Sequence, residues 1–236
     1  MSLILSIETS TKVCSVALHK QGILVVHDEI IAEKSHAENL TILTKNIISG
    51  SGFNFNQINA IAISKGPGSY TGLRIGTSTA KGLCYALEKP LIAINTLQAM
   101  AYEISNQKSA ICNLQSAILC PMLDARRMEV YYAMFNASNE FIKDTSAEIM
   151  DEFSFNDVLS ASKVFFFGEG MDKCKPILSK HENAIFIDDI FPSAKNIGYL
   201  ATSRYKENDF EDAAYFEPFY LKEFLAKTPS TQRKNI

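Results

Sequence analysis

The stretch from Ile61 to Leu87 constrains the fold more than any other part of the chain. It opens on a short apolar run, Ile61-Ala62-Ile63-Ser64, whose β-prone residues predict a strand buried on both faces. Lys65-Gly66-Pro67-Gly68-Ser69-Tyr70-Thr71-Gly72 follows, and its glycines and proline supply the backbone freedom and fixed turn of a strand-to-helix switch. In the helical pattern beyond, Gly72, Gly76, Ala80 and Cys84 recur every fourth position and line one face. That face has almost no side-chain bulk, which predicts close approach by another helix. Leu73, Ile75, Leu83 and Leu87 lie elsewhere around the helix, so a core-facing stripe and a partner-facing stripe coexist. The loop has two readings. Its N–H groups at a helix N-terminus suit an anion, yet it lacks the G-K-[ST] ending of a nucleotide loop and the spacing of a dinucleotide fingerprint. Tight packing at a strand–helix corner is the reading we take, with anion binding as the alternative.

The rest of the chain frames this unit. Leu3 to Ile7, Val13 to His19 and Ile23 to Ile31 are β-type runs with very short connections, an antiparallel meander. His36, Leu40, Leu43 and Ile47 then recur at helical steps, with Ser35 and Glu38 spaced as a capping box and Gly50 and Gly52 as stops. After the central unit come a run at Pro90–Ile94 and a helix from Thr96 to about Ile104, giving the order βββαβαβα. Three meander strands followed by α-β-α-β-α match one half of the ribonuclease H-like fold of the actin, hexokinase and Hsp70 superfamily. The fold class expected is therefore α/β, two such half-domains of mixed sheets flanked by helices.

Residues 105–116 are more polar and break the pattern, which places the domain boundary there. Strands are predicted again at Ile118–Leu123, Glu129–Phe135 and about Glu140–Ile149. A helix near Phe153–Ser160, a strand Val164–Phe167, a helix ending near Ser179, a strand Ala184–Ile187 and a helix Ser193–Lys206 complete a reduced second half. The domains read as 1–105, 106–225 and a polar tail, 226–236, expected to be disordered.

Composition excludes several functions. Net charge is −3 with 21% charged residues, so no overall basic field draws nucleic acid, and contact with RNA would need a partner's charge. Five cysteines are scattered without a C-x-x-C pair, which suits reduced buried thiols of a cytosolic protein better than a disulfide framework or a zinc knuckle. No run approaches the ~20 apolar residues of a membrane span, and the apolar N-terminus lacks the flanks of a signal sequence. A cytoplasmic location is expected.

With SKGPGSYTGLRIGTSTAKGL, the segments LSIETSTKVCSVAL, KSHAENLTILTKNII, PMLDARRMEVYYAMF and EPFYLKEF give the chain a wording that resembles the bacterial TsaB (YeaZ) family over almost its whole length. The resemblance implies a role in making threonylcarbamoyladenosine in tRNA, as a non-catalytic subunit of the paralogous transferase TsaD. That enzyme, helped by the ATPase TsaE, moves a threonylcarbamoyl group from its adenylate, made by TsaC, to the adenosine 3′ of the anticodon in tRNAs reading ANN codons. It also implies docking on TsaD through the two first-half helices, with His36, Leu40, Leu43, Ile47, Gly72, Ile75, Gly76, Thr79 and Ala80 as contacts, and a homodimer when the chain is alone. tRNA would be met only through the complex. No intrinsic cofactor or metal is expected, ATP or ADP and metal belonging to the partners. TsaD places two histidines four residues apart on one helix to bind metal, whereas this chain reads INTLQAMAYE, with Thr96 and Met100 at the aligned positions.

Other chemistry is weaker in the sequence. Glu8 stands where the superfamily's kinases carry a metal- and phosphate-handling aspartate, so Glu8, Thr9, Ser10, Gly66 and Gly68 are the candidate nucleotide or anion contacts. A kinase-like reading also needs a second-half phosphate motif, and only Gly168-Glu169-Gly170 offers one. Asp124, Arg126, Arg127 and Glu129 read as an exposed ion-pair network before a general base with cationic helpers, and His36 as a capping or contact residue before a catalytic base. A free-standing homodimeric scaffold is the remaining alternative.

Overall fold

The first three strands, β1 (Leu3–Glu8), β2 (Val13–Lys20) and β3 (Ile23–Ile31), form the predicted meander, with Leu3 opposite Lys20 and Val13 opposite Ile31. The structure is a computed structural model of the chain and describes residues 2–31, 36–106 and 116–221. The two-residue turn between β2 and β3 puts Gln21 and Gly22 at φ 54° and 81°, the left-handed pair that matches the twist of a tight hairpin. Helix α1 (His36–Gly50) leads to β4 (Ala60–Gly66), α2 (Tyr70–Leu87) and β5 (Leu91–Asn95). β4 lies parallel to β1 and β5 parallel to β4, so the sheet order is β3-β2-β1-β4-β5. Ser35 of the expected capping box and the tail from residue 226 lie outside the described residues.

Helix α3 (Thr96–Asn106) precedes a second sheet of the same design: β6 (Ile118–Asp124), β7 (Glu129–Phe135) and β8 (Phe141–Ile149) antiparallel, then β9 (Val164–Phe167) and β10 (Ala184–Ile187) parallel beside β6. Its connecting helices are short, α4 (Asn156–Ala161) and α5 (Lys175–Leu178), and α6 (Ala194–Glu207) ends the regular structure.

Burial is divided between the two faces of each sheet. On the first sheet, Leu5, Ile7, Val16, Leu18, Ile61 and Ile63 pack under α1 and α2 with Leu40, Leu43 and Ile47. The opposite face, Ile4, Ala60, Ala62, Ile92 and Ile94, is covered by Ile197 and Ala201 of α6. Helix α3 leaves the first sheet and buries Leu97, Met100, Ala101 and Ile104 on the second, against Leu119, Phe135, Phe165 and Phe167. Each sheet is thus covered on one face by a helix that follows the other. Ala194 N donates to Ser15 Oγ at 2.9 Å and Asn196 Nδ2 to Glu103 Oε2 at 3.1 Å, tying α6 to β2 and to α3.

Candidate functional site

The central unit is a strand, a loop and a helix folded onto the turn between β1 and β2. The Gly66–Pro67 peptide is cis, and Gly66 has φ +108°. A Cβ on Gly66 would meet the Phe219 carbonyl at 2.8 Å, and one on Gly68 would meet the Ser10 carbonyl at 2.5 Å, so glycine is needed for close approach. Ser69 N donates to Ser10 O at 2.6 Å, and Ser69 Oγ caps α2 by accepting from Gly72 N at 3.3 Å. Thr9 Oγ1 donates to Gly72 O at 2.8 Å. A side chain at Gly72 would run into the Thr9 carbonyl, and one at Gly76 into Thr9 Oγ1 and Ile63.

This geometry corrects the expected role of the small-residue stripe. Gly72, Gly76, Ala80 and Cys84 face inward and are buried, the two glycines close against the chain's own Thr9 and Ile63 and Ala80 and Cys84 within the first core. Leu40, Leu43 and Ile47 belong to the first core, and His36 is buried with Nε2 2.7 Å from Thr11 O. These side chains are buried within the chain's own fold. Ile75 and Thr79 are half-buried, at the edge of that face. Four-residue spacing identifies a face without bulk but not the neighbour that fills it. The outward surface of the same helices is made by Thr41, Ile42 and Lys45 of α1 and by Arg74, Ser78 and Tyr85 of α2, with Ile42 56% and Tyr85 89% exposed.

A segment missed from sequence reasoning extends this surface. Residues 211–221 run beside α2: Glu211 N donates to Leu91 O at 2.9 Å, and Lys81 Nζ donates to Ala214 O at 2.9 Å and Phe216 O at 3.2 Å. Phe219 N donates to Lys65 O at 2.7 Å, and the Tyr70 and Tyr220 rings lie 4.9 Å apart. Phe216 enters the first core while Tyr215 stays exposed. The signal was present in EPFYLKEF, whose apolar spacing fits neither helix nor strand period.

The candidate anion contacts Glu8, Thr9, Ser10 and Gly68 come together at this corner, whereas Gly66 is turned toward Phe219. Glu8 is fully buried, its Oε1 accepting from Ser10 N at 2.5 Å and its Oε2 without a partner. Burial pushes its carboxyl above the ordinary 4.5, against the opposing pull of the polar groups of Ser10, Ser64 and Thr9 around it. The Ser69 N–H that would face an anion is taken by Ser10 O.

In the second half, Asp124 Oδ1 accepts from Arg126 N at 3.0 Å and pairs with Lys173, which also donates to Glu129 O at 2.6 Å. Lys173, 49 residues along the chain from Asp124, thus joins that expected network as a cation. Nearby, burial pushes the Glu169 carboxyl up while Lys12 draws it down. Thr96 and Met100 are both fully buried, Met100 within the second sheet's core. Among the described residues no three His, Cys, Asp or Glu side chains gather as a metal-ligand set.

Comparison with known proteins matches this arrangement. The profile of the family described as TsaD, tRNA N6-adenosine threonylcarbamoyltransferase, matches residues 26–229. The tRNA threonylcarbamoyladenosine biosynthesis protein TsaB of Escherichia coli K12 is 31% identical over 229 residues, 94% of this chain and 96% of that one. Its counterpart in Haemophilus influenzae is 28% identical, covering 93% of both chains. The solved structure of YeaZ from Pseudomonas aeruginosa superposes with a TM-score of 0.77 at 24% identity, covering 94% of this chain and 100% of that one. The shared fold is the α/β pair of five-stranded mixed sheets flanked by helices. With a relative 31% identical along nearly its whole length and a fold that superposes throughout, the chain belongs to the TsaB family.

Proposed function

We propose that this chain works in tRNA threonylcarbamoyladenosine biosynthesis as a non-catalytic subunit that supports a TsaD transferase. Family membership supports the pathway. The observation that carries the non-catalytic part is α3. Where the resemblance to TsaD asks for two imidazoles four residues apart, this chain has Thr96 and Met100, and Met100 fills core space against the second sheet. A thioether packed in a core does not replace an imidazole at a catalytic divalent-metal site. Transfer to the adenosine 3′ of the anticodon would then take place on TsaD, with ATP or ADP, metal and the TsaE ATPase on the partner side, and tRNA reaching this chain only through the complex.

Docking would use the outward faces of α1 and α2, where Ile42 and Tyr85 stand exposed beside Arg74 and Lys45, and the same face would hold two copies together when the partner is absent. No helix among the described residues is long and apolar enough to cross a membrane, and the work is assigned to the cytoplasm, where tRNA is modified. The test is reconstitution with TsaC, TsaD and TsaE of the same organism, reading modified nucleoside by mass spectrometry. Modification should require this chain, and mixing should replace its self-association by a heterodimer with TsaD. Undiminished modification without it, or transfer by the chain alone, would overturn the proposal.

A further inference from the structure

The second half holds a groove of about 650 Å³ between β8 and the segment from Met150 to Val158, apart from α1 and α2. Its floor is set by Tyr132 and Phe155, whose rings meet edge-on at 4.9 Å, and Phe155 in turn meets Phe166 at 5.3 Å. Phe155 has φ 65°, a backbone conformation that bulky side chains rarely adopt, so packing rather than backbone preference holds it there. At the rim stand Ile142, Ile149 and Phe153, exposed by 54%, 70% and 70%. Large apolar side chains gathered at the mouth of one groove mark a contact site rather than scattered surface. β8 is the edge strand of its sheet, so the approach is open on that side.

The polar groups say what kind of occupant fits. Lys143 Nζ donates to the Tyr132 hydroxyl, which donates to Glu148 Oε2 at 2.5 Å, and Ser154 Oγ donates to Asp151 Oδ1 at 3.0 Å. The ammonium and hydroxyl donors of the wall are thus engaged within the wall. Acceptors remain: the Asp157 carboxylate is exposed, and Asn156 Oδ1 is buried without a partner. The charges of Glu148, Asp151 and Asp157 exceed that of Lys143. A phosphate-bearing ligand is repelled by such a wall, while Lys and Arg side chains find acceptors.

We infer that this groove docks a short segment of a partner protein that sets a large apolar side chain against Phe153 and Ile149 and flanking Lys or Arg against Asp157 and Glu148. The inference does not depend on the α1–α2 face or on TsaD. The probe is a phage-displayed library of random dodecapeptides selected on the immobilised full-length chain, followed by titration of the winning synthetic peptide. Winners should pair an apolar side chain with neighbouring Lys or Arg. Phe153→Ala or Ile149→Ser, both surface changes whose folding is checked by melting temperature, should weaken the winner about tenfold or more. Asp157→Asn should weaken it several-fold and flatten its salt dependence. Winners without basic residues, winners indifferent to the Phe153 and Ile149 changes, or no winner above background would each overturn the inference.

Discussion

The two halves repeat one strand order, three antiparallel strands with two parallel strands added beside the first, yet they cover their sheets differently. The first half joins its later strands through helices of 15 and 18 residues, the second through helices of 6 and 4. The cores differ to match. Under the long helices the filling is aliphatic, Leu40, Leu43, Ile47, Ile61 and Ile63. Under the short ones it is aromatic and thioether, with Tyr132, Phe166, Met122, Met134, Met150 and Met171. Where little helix surface is available to exclude water, larger and more adaptable side chains do so. A long helix also has an outer side, so the first half gains a two-helix face that the second lacks, and the second is left with a groove instead.

The largest expected effect breaks the first half at its corner. Gly76→Leu pushes a branched side chain into Thr9 and Ile63, which are backed by β1 and β4, and should cost about 3 kcal/mol or more in denaturant unfolding. A stable, folded variant that had only lost its partner would return the stripe to the surface. Gly82 lies in the same helix with open space around it, so Gly82→Ala should stabilise by about 0.4–1 kcal/mol. Opposite signs for two glycines six residues apart separate the inward face from the outward one.

Acid and base should act on the first sheet from opposite sides. His19 is fully buried under α6, beside Gly198 and 4.7 Å from the Tyr199 ring, with neither ring nitrogen bonded. Burial, helped by His27, lowers its pKa to about 4 from 6.5. The unfolded chain therefore binds a proton that the folded chain refuses, and stability falls as pH drops from about 6.5 toward 4. His19→Leu should flatten the melting temperature over that window, and an unchanged slope would show that α6 is not held on a neutral imidazole. Glu8 runs the other way. Its carboxyl is raised, so its contribution is whole below 4.5 and is lost as pH rises through the folded value. Glu8→Gln, which keeps an acceptor for Ser10 N, should gain on the wild type as pH increases, and equal curves would count against a carboxyl raised by burial.

Sequence reasoning reached the succession of strands and helices along the chain because the runs were short, β-prone and separated by turn residues, as at Gln21-Gly22 and Gly66-Pro67-Gly68. It did not reach the exchange of α3 and α6 between sheets, since Leu97, Met100 and Ile104 give the same apolar period whichever sheet receives them. The same limit reversed the small-residue stripe. Spacing names a face, and only the fold names its neighbour, here Thr9 at 63 residues' separation from Gly72. The groove was hidden for a related reason, because Tyr132, Lys143 and Glu148 meet across two strands and Phe155 takes a left-handed conformation that no local preference announces.

The smallest effect on stability carries the sharpest test of the two-helix face. Tyr85 is 89% exposed in the fifth turn of α2, so its removal takes little from the chain's own packing. Tyr85→Ala should leave unfolding free energy within about 0.5 kcal/mol of the wild type. An exposed aromatic anchor at the centre of a protein interface is where truncation commonly costs about 2 kcal/mol, close to thirtyfold in affinity. The heterodimer proposed with TsaD should therefore weaken by about that factor in titration, while Phe153→Ala in the other half should leave it unchanged. If the second-half change weakens TsaD binding and the Tyr85 change does not, the long helices serve the fold alone and the division of labour between the halves runs the opposite way.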